Sequence, residues 1–530
     1  MISSRKTFEK ISLRILKSLA ENFPVACASD EFYFFPHMAG PEKKTVPWDD
    51  FSEGSVRRII HEISDSITDL SSIKIVIDDI DIRSEKNMLI LFLNNLRDQL
   101  DELALWKKQP SFYLTLLNAG LAQALNYGDN KLLQHRLREI PVFLEQAVQN
   151  IQEVSFPCQE ISLSMIDDCR HFLSLLSAKA SNIELSLKAI KDLEEKIKTL
   201  PQETELNITA NLLERIYSNH LATGLKISEI STILEDETNE MFQVMAAEAE
   251  QILNNPVKNS LKPAVLIKSV YDKIGFRSNI KEDPVKMFRN ELDQIRTHLR
   301  YNGILNDDPD SLIPVKVEEM PQYFRAIRSA SSYSIYPEYP PAEGTFYVLT
   351  SSGYGIPSEN MDEYRMLTAH ETYPGHHLLD SSRLSLNNII RRSLEFPLFY
   401  EGWACFAEML LNYTSYFTNP ADRFILAKRR YWRAVRGKVD IGLQTKKLDL
   451  ESAANILQES GIPYKRAMAS VKIFTLNPGY QTCYTVGIRR FLDFYNRYGK
   501  EDLRNFVRTV LGSGEILFSD LEELLKEFYE

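Results

Sequence analysis

Apolar residues recur at intervals of three and four along most of this 530-residue chain, which is the spacing of one buried face of an α-helix. The pattern is clearest in four segments, which are Met88 to Leu105, Phe112 to Leu125, Arg136 to Leu144 and Asp168 to Ile197. The second segment ends at a turn sequence, Asn126-Tyr127-Gly128-Asp129, and Pro110 is expected to close the first. We therefore predict a mainly α fold, a large multi-helix body with two lobes around a central cleft.

One segment departs from this helical spacing. Between Tyr333 and Pro357 prolines, tyrosines and glycines are frequent, and Gly344 to Thr350 has the β-branched and aromatic content of a strand. We expect a short strand or hairpin here, close to the candidate metal site described below. Two interpretations are open: an edge that binds an extended peptide through main-chain hydrogen bonds, or an ordinary packed strand.

Two polar connections that contain proline divide the chain, at Leu200 to Glu205 and at Asn254 to Pro263. They delimit an N-terminal helical region of residues 1–200, a middle helical region of residues 201–330 and a C-terminal region of residues 331–530, which carries the candidate catalytic residues. Neither connection is long enough to be a flexible tether, so we expect the three regions to form one interlocked fold.

The composition is that of an ordinary globular protein, with 44% hydrophobic and 25% charged residues. A net charge of −11 argues against binding to nucleic acid or to anionic membranes. The first 24 residues lack the apolar core of a signal peptide, and no run approaches the roughly 18 apolar residues of a membrane span. Five scattered cysteines form no Cys-x-x-Cys pair, so a cytoplasmic location is expected. The sequence makes no prediction of oligomeric state.

The densest group of candidate chemical residues is His370-Glu371-Thr372-Tyr373-Pro374-Gly375-His376-His377. In a His-Glu-x-x-His helix the two histidines bind zinc one turn apart, and the Glu acts as general base. Here a proline stands in the place of the second histidine, and an unbroken helix would not bring a later histidine back to His370. The helix must therefore loosen at Pro374-Gly375. His376 then becomes the second ligand and His377 lies behind it or contacts substrate; the alternative second ligand is His377.

A zinc site that keeps one position for water needs a third protein ligand. The motif Glu401-Gly402-Trp403-Ala404 supplies a carboxylate, and we predict one Zn²⁺ ion held by His370, His376 and Glu401. Glu408 lies seven residues after Glu401 and so faces the same side of a helix, where it either orients a ligand or is a surface carboxylate. Glu371, beside the first ligand, is the predicted general base.

The two motifs together resemble a bacterial family, domain of unknown function 885 (DUF885), which is regarded as metallopeptidase-like and related to zinc peptidases with a glutamate ligand. Three further segments share the resemblance, which therefore covers most of the chain: Arg136 to Leu144, Asp440-Ile441-Gly442-Leu443 and Pro478 to Gly487. Two positions depart from the family. Gln444 stands where a histidine is frequent, and Ile473-Phe474 replaces an Arg-Tyr pair, so substrate contacts are expected to differ there.

The resemblance implies a zinc-dependent metallopeptidase that hydrolyses short or unfolded peptides. By analogy with related peptidases, Tyr484 would donate a hydrogen bond to the developing oxyanion. Arg489, about a turn later, would bind a substrate carboxylate or pair with a carboxylate of the protein surface. The alternative functions are a zinc amidase that acts on a non-peptide amide, and a noncatalytic peptide-binding or scaffold protein. Glu371 favours an enzyme, because a binding protein needs no general base beside its metal ligands.

Overall fold

The computed structural model describes residues 2–38, 47–74, 80–176, 183–203, 208–258, 261–275, 283–305, 312–325, 328, 330–337, 343–350 and 362–530. Its helices are α1 (Ile2–Asn22), α2 (Pro24–Cys27), α3 (Glu53–Ser72), α4 (Ile80–Leu100), α5 (Leu105–Lys108), α6 (Pro110–Asn126), α7 (Asn130–Asn150), α8 (Phe156–Leu175), α9 (Ile183–Thr199), α10 (Ala210–Arg215), α11 (Ile227–Leu253), α12 (Pro263–Ile274), α13 (Pro284–Tyr301), α14 (Tyr364–Glu371), α15 (His376–Ser385), α16 (Ile389–Ser393), α17 (Pro397–Tyr413), α18 (Pro420–Gln444), α19 (Leu450–Glu459), α20 (Tyr464–Phe474), α21 (Tyr480–Phe494), α22 (Leu503–Ser513) and α23 (Phe518–Tyr529). Short π-helical turns follow α10 and α21, at Ile216–His220 and Tyr495–Gly499. The strands are β1 (Val154–Ser155), β2 (Gln202–Glu203), β3 (Val315–Glu319), β4 (Ser332–Ile335) and β5 (Gly344–Val348).

The mainly α fold predicted from the apolar spacing is confirmed. The first of the four segments covers the C-terminal part of α4 and ends at the start of α5, and the second lies within α6. Pro110 begins α6 and does not close the preceding helix, because a proline in the first turn loses no intrahelical hydrogen bond. The fourth segment contains parts of α8 and α9, and residues 177–182 between them lie outside the described residues. The two-lobed shape with a central cleft stays a prediction.

The strand predicted at Gly344 to Thr350 is confirmed as β5. It is the middle strand of a sheet with the order β3-β5-β4, in which it runs parallel to β3 and antiparallel to β4. All five residues of β5 are buried, and both of its edges are paired. β5 is therefore a packed strand without a free edge, because its backbone groups already have partners. β4, which overlaps the same Tyr333 to Pro357 segment, lies at the edge of the sheet, and a peptide-binding edge there stays a prediction.

The hydrophobic core connects all three predicted regions. One contiguous cluster of buried apolar side chains extends from Phe8 to Leu525. Helix α11 of the middle region packs along α18 of the C-terminal region, where Arg430 donates to the buried carboxylate of Glu237 at 2.7 Å. The regions are thus in contact across the predicted boundaries, and the division itself stays a prediction. Within the described residues, no helix is both long enough and apolar enough to cross a membrane.

Two glycines allow α17 to cross α21 at very short distance. A Cβ atom on Gly402 would lie 2.6 Å from the Cα of Gly487, and a Cβ atom on Gly487 would overlap the carbonyl oxygen of Leu398. Only glycine at both positions permits such an approach of two backbones. The crossing brings the Glu401 motif of α17 against the segment of α21 that contains Tyr484.

Alanine at Gly402 is expected to lower the free energy of unfolding by about 1–3 kcal/mol, because its methyl group would force the two helices apart. Denaturant titration measures the effect. Gly512→Ala on α22 is the matched control, since no atom of the described residues outside its own helix lies within 4 Å of its added Cβ, and it should change stability by less than about 1 kcal/mol. Wild-type stability of Gly402→Ala would contradict the close crossing.

Candidate metal centre

The two histidines that could share a metal lie on separate helices. α14 ends one residue after His370, and α15 begins at His376, so residues 372–375 leave helical geometry. The amide of Gly375 donates to the carbonyl of Ala369 at 3.0 Å, and a Cβ atom on Gly375 would overlap the carbonyl oxygen of His370. The predicted break at Pro374-Gly375 is therefore present, and the close backbone approach requires glycine there.

His370, His376 and Glu401 converge on one point. Oε2 of Glu401 lies 3.5 Å from Nε2 of His370 and 3.6 Å from Nε2 of His376, and the three ligand atoms all lie within 4.8 Å of one another. Tetrahedral zinc with bonds of about 2.1 Å holds its ligand atoms roughly 3.4 Å apart. The spacing of these three side chains, which are 5–7% exposed, therefore matches a zinc site.

The Glu401 carboxylate provides a separate test of this fit. Its Oε1 accepts a hydrogen bond from the Tyr480 hydroxyl at 2.8 Å, whereas its buried Oε2 has no hydrogen-bond partner among the described residues. A buried carboxylate oxygen without a partner is costly, and a cation between the two imidazoles would satisfy it. Although burial opposes ionisation, the imidazoles hold the pKa of Glu401 well below its usual range. Two imidazoles and one anionic carboxylate form a donor set that suits zinc.

Glu408 orients the imidazole of His370. Its Oε1 lies 3.0 Å from Nδ1 of His370, and its two oxygens accept hydrogen bonds of 2.6–3.1 Å from Arg429 and Arg433. A carboxylate at Nδ1 places the ring proton there and leaves the lone pair of Nε2 free for a metal. Although burial opposes ionisation, the two arginines hold the pKa of Glu408 well below its usual range. Glu408 is 0% exposed, so its interpretation as a surface carboxylate is wrong.

Both ring nitrogens of His377 have protein partners away from the converging ligands. Nδ1 lies 3.1 Å from the Tyr333 hydroxyl, and Nε2 lies 2.9 Å from the carbonyl oxygen of Ile313 and 3.1 Å from the Tyr373 hydroxyl. The ring is completely buried, and burial lowers its pKa to about 3, which keeps it neutral. The structure thus contradicts the assignment of His377 as a metal ligand or substrate contact.

Glu371 lies beside the ligand His370 at the end of α14. Its Oε2 accepts a hydrogen bond of 2.8 Å from the backbone amide of Tyr333 on β4, and the side chain is 8% exposed. This bond fixes the carboxylate and leaves the other oxygen to accept a proton, as a general base must. The sheet therefore positions Glu371, and its catalytic role stays a prediction.

Two tyrosines on one face of α21 lie next to the Glu401 carboxylate. Tyr480 donates directly to Oε1, and Tyr484 follows one helical turn later. Burial and the negative charge of Glu401 raise the pKa of both hydroxyls well above its usual range, so both remain protonated donors. The sequence analysis named Tyr484 alone. Tyr480 lies four residues earlier, on the same face of the helix, and this spacing could have identified it.

Arg489 does not belong to this group of contacts. Its guanidinium pairs with the carboxylates of Glu237 and Glu240. Pairing with protein carboxylates, one of its two predicted roles, is what the structure contains, and binding of a substrate carboxylate is contradicted because the guanidinium is already occupied.

Two side chains without a predicted role hold the helices of the site together. Trp403 is buried and donates its Nε1 proton to the carbonyl of Pro374 at 2.9 Å, which ties α17 to the break between the histidines. Asp440 on α18 accepts from the amides of Gly479 and Gln481 at 3.1 Å each and so caps the first turn of α21. Trp403 belongs to the Glu401 motif and Asp440 to the segment Asp440-Ile441-Gly442-Leu443. Their membership of these motifs was the sequence signal that could have identified them.

Comparison with known proteins gives one family and a shared fold. A bacterial family of unknown function, DUF885, matches residues 38–525. No curated protein sequence matches the chain. A candidate lipoprotein of unknown function from Shewanella oneidensis has a similar structure with a TM-score of 0.76 and 16% identity, over 98% of this chain and 99% of its own. A candidate lipoprotein from Colwellia psychrerythraea has a TM-score of 0.76 and 14% identity, over 99% of both chains. At these identities the two structures establish the fold alone.

Proposed function

This chain belongs to the bacterial family DUF885, and we propose that it is a zinc-dependent metallopeptidase that hydrolyses short or unfolded peptides. The observation that carries the proposal is the convergence of His370, His376 and Glu401, whose buried Oε2 has no hydrogen-bond partner in the part of the chain that the structure describes. Glu371 beside these ligands supports an enzyme over a binding protein, because metal binding alone needs no general base there.

The side chains around the ligands suit hydrolysis of an amide. Zinc bound here would act as a Lewis acid that polarises the scissile carbonyl and acidifies a water molecule. Glu371 would accept a proton from the attacking water with the oxygen that is not hydrogen-bonded to Tyr333, and would pass it to the leaving amine. Tyr484 keeps its own proton and donates a hydrogen bond to the developing oxyanion. Tyr480 holds the carboxylate of Glu401 through Oε1.

The proposed substrates are short or unfolded because the ligands are 5–7% exposed. A peptide bond in a folded protein could not reach side chains so deeply buried, whereas an extended segment could. The proposal includes the predicted cytoplasmic location. Cell fractionation tests it against membrane attachment, which the description of the two structural neighbours as candidate lipoproteins would imply.

Protein purified without added zinc or nickel is expected to contain close to one zinc per chain and to cleave members of a short-peptide library. A chelator should abolish cleavage and added zinc should restore it, because the three ligands hold the ion that activates the water. Elemental analysis and mass spectrometry of the products are the measurements. Protein that contains no metal and takes up none would contradict the proposal. Protein that contains metal and cleaves only a non-peptide amide would support the amidase. Protein that contains metal and cleaves nothing would support a binding protein.

A further inference from the structure

Helix α18 carries five arginines, and four of them pair with carboxylates. Arg423 binds Glu248, Arg429 and Arg433 bind Glu408, and Arg430 binds Glu237, all at hydrogen-bond distance. Arg436 is the exception: among the described residues, no carboxylate lies within 4.0 Å of its guanidinium, and its buried Nε has no hydrogen-bond partner. A partly buried guanidinium without a carboxylate is costly, and a bound anionic ligand would offset that cost.

Arg436 lies on the face of α18 that contacts the residues of the candidate metal centre. It lies three residues after Arg433, which contacts Glu408 beside His370, and so projects from the same side of the helix. Its guanidinium carbon is 4.5 Å from the ring centroid of Tyr484, and its charge interacts with that of Glu401. The guanidinium therefore lies against the ring of the predicted oxyanion donor, and the charge of a predicted metal ligand acts on it.

Glu401 is the nearby carboxylate that could neutralise Arg436, but it is engaged elsewhere. Its Oε1 accepts from Tyr480, and its Oε2 faces the two imidazoles. The guanidinium lies over the ring of Tyr484 in a cation–π contact, and no acid of the described residues binds its N–H groups. A planar guanidinium in this state is suited to bidentate recognition of an incoming carboxylate.

We propose that Arg436 binds a carboxylate of the peptide substrate and so directs cleavage to bonds close to that carboxylate. The inference rests on the proposed peptidase function and deepens it by naming a substrate class: peptides with a free C-terminal carboxylate, or with an acidic side chain beside the scissile bond. Arg436 takes the role that the sequence suggested for Arg489, which is occupied by Glu237 and Glu240.

The test measures binding without turnover, in zinc-loaded protein that carries Glu371→Gln. Calorimetric titration with Ala-Ala, Ala-Ala-amide and Ala-Glu-amide separates a C-terminal carboxylate from a side-chain carboxylate. We expect one of the two acids to bind roughly 10- to 100-fold more tightly than Ala-Ala-amide. Adding Arg436→Met should remove this preference and leave amide binding unchanged, and Arg436→Lys should restore part of it. Arg489→Met, the matched control, should keep the full preference.

The outcomes separate this inference from the proposed function. Equal binding of acids and amide by protein with Arg436 would overturn the inference, as would a preference that persists in Arg436→Met. Failure of every dipeptide to bind, when wild-type protein cleaves longer peptides, would also overturn it and leave the peptidase function standing. Circular dichroism and zinc content of Arg436→Met show whether the fold and the metal centre are intact; if Arg436→Met fails to fold, the Arg436→Lys titration decides.

Discussion

Alanine in place of His376 is expected to reduce bound zinc to well below one ion per chain and to abolish peptide cleavage, whereas alanine in place of His377 retains the zinc. The reason is geometric. Nε2 of His376 lies 3.6 Å from Oε2 of Glu401, while both nitrogens of His377 bind protein groups around Tyr333 and Ile313. Elemental analysis of protein never exposed to added zinc or nickel measures the difference.

His377→Ala leaves buried polar groups without a partner, so we expect it to be less stable than wild type while it still binds metal. His377→Asn, which keeps a polar side chain at the position, guards against loss of the fold. His370→Ala and Glu401→Ala should lose zinc as His376→Ala does. Zinc that is lost in the His377 variants and kept in His376→Ala would refute the assignment of ligands made here.

Glutamine in place of Glu371 should lower kcat by about 10²- to 10⁴-fold while zinc content stays at the wild-type value. The substitution removes the proton acceptor and preserves shape. The amide oxygen of glutamine can still accept the hydrogen bond from the backbone of Tyr333, so the side chain is expected to keep its place. Steady-state kinetics on a cleaved library peptide, together with metal analysis, measure both quantities.

The matched control is Glu62→Gln, the same substitution at another glutamate. Glu62 follows a histidine in α3, as Glu371 does in α14, but belongs to no group of metal-ligating side chains within the described residues. It should leave kcat unchanged. A fully active Glu371→Gln protein would eliminate this residue as the general base and remove the main reason to prefer an enzyme.

Several features of the fold followed from local physics. Apolar spacing predicted the helices α4 and α6 because one buried face of a helix must recur every three to four residues. The β-branched and aromatic content of Gly344 to Thr350 predicted a strand. Its place in the middle of a mixed sheet was not predictable in this way, since pairing with β3 and β4 depends on residues far along the chain.

The sequence by itself determined the residue types of the candidate site and the need for a break at Pro374-Gly375, because proline and glycine act on the backbone wherever they stand. Only the tertiary structure decided which histidine meets Glu401. Neighbouring residues on a helix differ by about 100° in direction, so the choice between His376 and His377 depends on how α15 packs against other elements. The same long-range packing pairs Arg489 with two carboxylates of α11 and leaves Arg436 without a carboxylate partner among the described residues.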